Sequence, residues 1–162
     1  MDTSQKILSR ENARRTLDLR RRSGERIVLA NGCFDVLHAG HVRYLKGARA
    51  EGHVLVVAVN SDTSARKLKG TGRPILDEAG RAALVAALSC VDYVVVFSES
   101  NVESLLRTLR PAVHAKGTDY SLETVPERET SAQLGIRVAI VGDPKNHSSR
   151  DLFASIRECA DG

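Results

Sequence analysis

Tryptophan is absent, and three phenylalanines and three tyrosines supply all the aromatic surface. A platform of stacked aromatic rings, as single-stranded nucleic acid often needs, is therefore poorly supplied, and the core must rest on Val, Leu, Ile and Ala. Cysteine is also sparse. Cys33, Cys90 and Cys159 are far apart, odd in number and form no C-x-x-C pair, which fits neither a disulfide framework nor a zinc site and suits reduced thiols. No apolar run approaches membrane-spanning length, and the N-terminus lacks the apolar core of a secretory signal. With no Pro/Gly/Ser linker, repeat or low-complexity tract, the expectation is one soluble, cytoplasmic domain without a membrane partner.

What is present suits such a domain. The chain has 162 residues, 42% hydrophobic and 27% charged, with a formal net charge of +4; at this length roughly 70% of the unfolded surface can be buried. Arg14, Arg15, Arg20, Arg21 and Arg22 crowd the first segment. They read either as a solvated helix face or as a nucleic-acid footprint. No nucleic-acid-reading motif accompanies them, so no nucleic-acid partner is expected.

Residues 12–22 read as a polar helix ended by Ser23-Gly24, an N-terminal helical segment (1–24) packed on a main domain of residues 25–162. Ile27 to Ala30 reads as a buried strand meeting the Asn31-Gly32 turn. A helix is predicted from about His41, with Val42, Leu45 and Ala48 on one face and Glu51-Gly52 ending it. The continuous β-branched run Val54–Val59 suits a strand covered on both faces. A helix from Asp77 to Ser89, a strand from Tyr93 to Phe97 and a helix capped by Asn101 and running to Leu109 follow. Ala112–Ala115 and Ile136–Val141 supply two more strands, and Ser148–Glu158 makes a last helix with Leu152, Phe153 and Ile156 inward. Strands alternating with helices imply βαβ units: a single-domain, Rossmann-like α/β fold, its parallel sheet covered by helices on both faces.

In open sheets of this kind ligands bind beyond the carboxyl ends of the strands. The first strand-to-helix junction, Asn31-Gly32-Cys33-Phe34-Asp35-Val36-Leu37-His38-Ala39-Gly40-His41, combines a glycine turn, an acid, and two histidines flanking a glycine at a helix start. Outward backbone N–H groups and the helix dipole favour an anion there. Two imidazoles can add hydrogen bonds to phosphate oxygens, and Gly40 lets a phosphate approach the backbone. Capping of the turn by His38 is the plainer alternative.

Gly32, Phe34, Asp35, His38, Gly40 and His41 match the G-x-F-D-x-x-H-x-G-H signature, and the stretch resembles the cytidylyltransferase-like nucleotidyltransferases. Asn60-Ser61-Asp62, Leu68-Lys69-Gly70, Arg73-Pro74 and Lys116-Gly117-Thr118-Asp119-Tyr120 bring it closer to one branch, the bacterial heptose 1-phosphate adenylyltransferases. The similarity spans roughly Ile7 to Ile156. In that branch the domain is in many bacteria fused to a sugar kinase; here a stand-alone domain is expected.

Each further motif has two readings. Asn60-Ser61-Asp62 is a helix cap or, as in the family, an acid at the edge of the site. Lys69, Gly70, Gly72, Arg73 and Pro74 form an exposed basic loop or a mobile arm that engages phosphate. Arg81, in helical phase with Leu84 and Leu88, sits near a buried face in a first turn, where a cation is unfavourable unless an anion is present. That favours a phosphate ligand, with an ion pair to Asp35 or Asp62 as the alternative. Lys116 to Tyr120 is an ordinary turn, or a site where Lys116 offers charge, Gly117 admits close approach and Asp119 accepts from a hydroxyl. Ser148 and Ser149 open the last helix, as a cap or as a phosphate site. Asp143 stands where cytidylyl enzymes have an arginine, which counts against CTP and leaves Lys145 or Arg150 as candidate cations for the triphosphate. His53 and His114 look incidental.

The resemblance implies that ATP and a sugar 1-phosphate bind side by side, that a sugar phosphate oxygen attacks the α-phosphorus in line, and that pyrophosphate leaves. His38, His41 and Lys116 would be catalytic. Gly32, Cys33, Phe34, Gly40, Gly117 and Asp119 would join them on the nucleotide, with Ser148 and Ser149. Asp35, Asp62, Lys69, Arg73 and Arg81 would hold the sugar phosphate. Mg2+ is expected with ATP, its protein ligands unassigned. A homodimer is compatible with the family, though no residue points to it. The rivals are a cytidylyltransferase for glycerol 3-phosphate, an adenylyltransferase for flavin mononucleotide, and a nucleotide-binding module without catalysis.

Overall fold

The computed structural model describes residues 2–144 and 149–160. Five parallel strands, β1 (Ile27–Gly32), β2 (Val54–Asn60), β3 (Tyr93–Phe97), β4 (Val113–Gly117) and β5 (Arg137–Val141), form one sheet in the order β3-β2-β1-β4-β5. The register pairs Ala30 of β1 with Val57 of β2 on one side and with Ala115 of β4 on the other. The chain leaves β1 for β2 in one direction and later returns to place β4 on its other side. The carboxyl ends of β1 and β4 are therefore the topological switch point, where a crevice opens.

Alternation along each strand divides the core in two. Val28 and Ala30 of β1, with Leu55, Val57 and Val59 of β2, face α2 (Ala39–Ala50) and α4 (Glu78–Ala86). Leu29, Val56, Ala58 and Val95 face the other way, onto α1 (Arg10–Arg22) and α5 (Glu103–Leu109). Every residue of β2 is buried, as a parallel strand covered on both faces requires. α1 is anchored by Ala13 and Leu17, both fully enclosed. Arg14 and Arg15 pair with Glu11 and Arg21 with Asp18 on the helix's own surface, as a solvated face would. Before α1, Ile7 bridges to Val94 beside the β3 edge.

Several local expectations shift. α1 starts at Arg10, where Ser9 Oγ accepts from Asn12 N–H, and α2 starts at Ala39, capped by His38. Asp77 caps α4, which ends at Ala86 rather than Ser89. Asn101 Oδ1 accepts from Glu103 N–H, as a capping residue should, although α5 begins two residues later. The helix-cap reading of Asn60-Ser61-Asp62 holds, with Ser61 capping α3 (Asp62–Lys69), whereas α6 (Arg128–Gln133) escapes the sequence pattern. Both are polar, and their few buried side chains include Ser64, Thr130 and Ser131.

Two expectations fail. The last helix, α7 (Ser149–Ala160), was expected to point Leu152, Phe153 and Ile156 inward, yet Leu152 is 36% and Ile156 53% exposed. Phe153 alone of the three is partly covered, with the Arg73 guanidinium 4.3 Å over its ring. Periodicity reports an apolar stripe, not what covers it. Likewise Leu84, the assumed marker of α4's buried face, is 44% exposed, although Arg81 is completely buried. Ser148 and Lys145 lie outside the described residues, as do the side chains of Ser149 and Arg150.

Candidate functional site

A cavity of about 760 Å³ opens over the switch point, lined by the β1–α2 junction, the end of β4 and the turn after β5. The backbone of the first junction is shaped by two unusual residues: Phe34 has φ 50° and Val36 φ 59°. A left-handed conformation is costly for a β-branched residue, and here it folds the loop back so that Asp35 turns inward and His38 reaches the start of α2. Gly32 leaves room for the Phe34 ring, which a Cβ there would approach to 3.1 Å. On the far side Gly142, at φ 94°, lies so near α2 that its Cβ would sit 3.3 Å from Tyr44 Cα.

His38 and His41 act as a unit. His38 Nδ1 accepts from Gly40 N–H at 3.1 Å, and His41 Nδ1 accepts from His38 N–H at 3.4 Å. Their rings lie 3.9 Å apart, and Phe34 packs on His41 at 5.3 Å. A ring nitrogen that accepts carries no proton, so these bonds assign each ring proton to Nε2. The cap reading of His38 holds and is compatible with the catalytic one: Nδ1 closes the helix end, and the ring proton sits on Nε2.

Lys116 lines the same cavity. It is buried; its Nζ donates to Asn31 Oδ1 at 3.3 Å and lies 3.6 Å from Glu127 and 4.5 Å over the Tyr120 ring. Burial pushes its pKa down, partly offset by Glu127. Asn31 Oδ1 also faces His114 Nε2 at 3.1 Å. Because an oxygen meeting two donors is an acceptor, His114 carries its proton on Nε2 and the Asn31 amide nitrogen is turned the other way. His114 is buried and its pKa falls to about 3, from desolvation and then from Lys116. Far from incidental, it holds Asn31. Tyr44 joins the two central strands: its hydroxyl donates to Ala115 O at 2.9 Å and accepts from Asn31 N–H at 3.3 Å.

The basic loop is tied to the site through Asp35. This buried carboxylate accepts from Arg73 Nε at 2.6 Å, from Ile75 N–H at 2.9 Å and from Leu76 N–H at 3.2 Å. Burial alone would raise its pKa, but the two backbone donors and Arg73 outweigh it and hold the group ionised below its usual range. Asp35 thus presents Arg73 at the cavity wall. Cys33, also on the wall, has its thiol pKa raised by burial, against the opposing pull of Lys69 and Arg81.

The cavity brings together Gly32, Cys33, Phe34, Asp35, His38, Gly40, His41, Lys69, Arg73, Lys116, Gly117 and Asp119. Arg81 and Asp62 are not among its lining residues. Arg81 Nη2 donates to Asp62 at 2.8 Å, Nη1 to the carbonyls of Cys33 and Asn60, and Nε to that of Leu76. Of the two readings of Arg81 the ion pair is the one seen here, with four of the five N–H donors tying the β1, β2 and α4 segments together. Asp62 is held in that brace.

Arg43, Tyr44 and Glu127 lie outside the motifs read from the sequence, and Asn31 and Thr118 stand in them without a role. Arg43 pairs with Asp143 at 3.1 Å, and Thr118 Oγ1 donates to Asp143 O, fixing the residue that stands where cytidylyl enzymes carry arginine. A signal existed for Tyr44, one helical turn after His41 in a chain with few aromatics. None existed for Glu127, which reaches the site only through the tertiary fold.

Histidine donors, a buried lysine and a helix N-terminus at the switch point of a parallel sheet define a Rossmann-like nucleotide-binding domain. The chain belongs to the cytidylyltransferase-like family of nucleotidyltransferases, whose model matches residues 29–154. It is 44% identical over 156 residues to the bifunctional protein HldE of Syntrophotalea carbinolica, covering 96% of this chain and 32% of that protein. To the bifunctional protein HldE of Pseudomonas aeruginosa it is 43% identical over 152 residues, with 94% and 32% covered. The chain spans about a third of the length of these relatives. Among solved structures, a lipopolysaccharide core biosynthesis protein from Thermoplasma volcanium superposes with a TM-score of 0.64 at 30% identity, covering 75% of this chain and 100% of that one.

Proposed function

We propose that this protein transfers AMP from ATP to a heptose 1-phosphate, giving an ADP-sugar and pyrophosphate for surface-glycan precursor synthesis in the cytoplasm. The observation that carries the reading is the His38–His41 pair, with both ring protons on Nε2 beside the α2 N-terminus and Lys116 across the same cavity. The heptose-branch motifs, the HldE relatives and the lipopolysaccharide neighbour support the acceptor. Asp143 and its partner Arg43 support ATP over CTP.

The sugar phosphate is already a nucleophile at neutral pH, so the chain need not supply a general base. One of its oxygens attacks the α-phosphorus as the bond to the β-phosphate oxygen breaks. His38 and His41 donate to oxygens that gain charge in that transition state, and Lys116 and Arg73 neutralise phosphate. Catalysis is positioning plus electrostatic stabilisation. Magnesium would add charge neutralisation on the triphosphate. Among the described residues no group of three or more His, Cys, Asp and Glu could hold a metal ion, and Asp35 is engaged with Arg73. An ion that keeps its waters and arrives on the phosphates needs few protein ligands, and Asp119 and Asp143 are carboxylates on the cavity wall.

A pyrophosphate-release assay crossing ATP, CTP, GTP and UTP with heptose 1-phosphate and glycerol 3-phosphate tests the reading. Release with ATP and the heptose phosphate alone is expected. Release with CTP and glycerol phosphate would overturn the substrates, and silence throughout would overturn the activity.

A further inference from the structure

Beside the phosphate-binding cavity lies a smaller chamber of about 160 Å³, over the ends of β2 and β3 and closed by the segment before α6. It joins the main cavity at Asn31, Asn60 and Lys116, whereas Ser100, Asn101 and Glu127 line the chamber alone. Phe97 and Tyr120 give it apolar wall.

Glu127 is the unusual member. It is buried, and its Oε1 accepts only a long bond, 3.4 Å, from Val102 N–H. Its Oε2, also enclosed, has no hydrogen-bond partner and is held only by a long ion pair, 3.6 Å, with Lys116 Nζ. A buried carboxylate oxygen without a donor is costly to the fold, and a ligand that brings a donor removes that cost. Being acceptor-only, the oxygen favours a hydroxyl and disfavours phosphate or carboxylate. Lys116 lines both cavities, so a phosphate held there lies beside the chamber that Glu127 lines.

We infer that the chamber receives the hydroxylated arm of the sugar phosphate, with Glu127 Oε2 accepting from a sugar hydroxyl and Ser100 and Asn101 supplying the polar rim. The inference rests on the adenylyl-transfer reading and names the residues that read the sugar. A site built to bond a hydroxyl discriminates strongly against an analogue lacking it, so Glu127 sets acceptor choice rather than the rate of phosphoryl transfer.

The test compares wild type, Glu127→Gln and Asn101→Ala with ATP and two acceptors, a heptose 1-phosphate and mannose 1-phosphate. Wild type is expected to prefer the seven-carbon acceptor. Glu127→Gln should raise its KM at least tenfold and erase the preference, with a much smaller rise in KM for ATP through the lost pairing with Lys116. Asn101→Ala, whose side chain has no bond to Lys116, should narrow the preference in the same direction. Protection of wild type against thermal unfolding by the heptose phosphate, lost in Glu127→Gln, reads binding without turnover. A preference untouched by both variants, or a rise in KM for ATP equal to that for the sugar, overturns the assignment while adenylyl transfer stands. Transfer to neither acceptor by wild type fails at the earlier step and takes the chamber with it.

Discussion

Arg81 and Asp62 meet at 2.8 Å, with the guanidinium wholly enclosed and Asp62 at the protein surface. The same guanidinium ties down three backbone carbonyls, those of Cys33, Asn60 and Leu76, which belong to three segments that frame the site. Arg81→Ala leaves these acceptors and Asp62 without their donor. A loss of about 2–4 kcal/mol of stability is expected, chiefly from carbonyls left without their donor, since Asp62 can rehydrate, read from urea unfolding. Unchanged stability with a raised KM for the phosphate substrates would restore Arg81 as a ligand.

Asp35 does for the basic loop what Arg81 does for the strand ends. Asp35→Ala deprives Arg73, Ile75 and Leu76 of their common acceptor. The expected result is a loss of about 2–3 kcal/mol together with a raised KM for the sugar phosphate, since Arg73 loses its anchor. Thermal melting and steady-state kinetics check the two halves separately. A variant that melts lower but keeps its KM would remove Arg73 from the site.

His114 predicts an acid limit. Its pKa in the fold is about 3 against 6.5 for a free imidazole, so the unfolded chain takes up the proton first as pH falls. The stability tied to the neutral ring is whole above pH 6.5 and fades between there and about pH 3. About 2 kcal/mol of it should be gone by about pH 5. His114→Gln, which can still donate to Asn31, should show a pH 7-to-5 loss smaller by about that amount in urea titrations. Parallel losses in the two proteins would contradict the buried neutral ring.

His38 combines two roles that a substitution can separate. Asparagine is a good helix N-cap, so His38→Asn should keep stability within about 1 kcal/mol while removing the Nε2 donor. Turnover should fall about a hundredfold or more, the scale of losing one oxyanion donor, roughly 3 kcal/mol. His41→Ala should fall at least as far. Near-normal turnover in either variant would leave the histidines as helix-end structure only.

The parts of the fold that sequence revealed are those fixed locally. Val54–Val59 reads as a buried strand because both of its faces are covered, and the His38–His41 junction reads as a phosphate site because glycine, histidines and helix start are adjacent in the chain. α6 went unseen because the side chains it buries are Thr130 and Ser131, which leave no apolar period. Arg81 was placed correctly as buried, but its partner depended on which segments meet around it. Glu127 lies ten residues beyond Gly117, and nothing nearby hints that the fold brings it to within 3.6 Å of Lys116.

The transfer itself is followed most directly with ATP labelled at either the α- or the γ-phosphorus, incubated with heptose 1-phosphate and magnesium. The α-label should appear in the sugar nucleotide and the γ-label only in pyrophosphate. A γ-label on the sugar, or an α-label that never leaves ATP, would contradict AMP transfer by this protein.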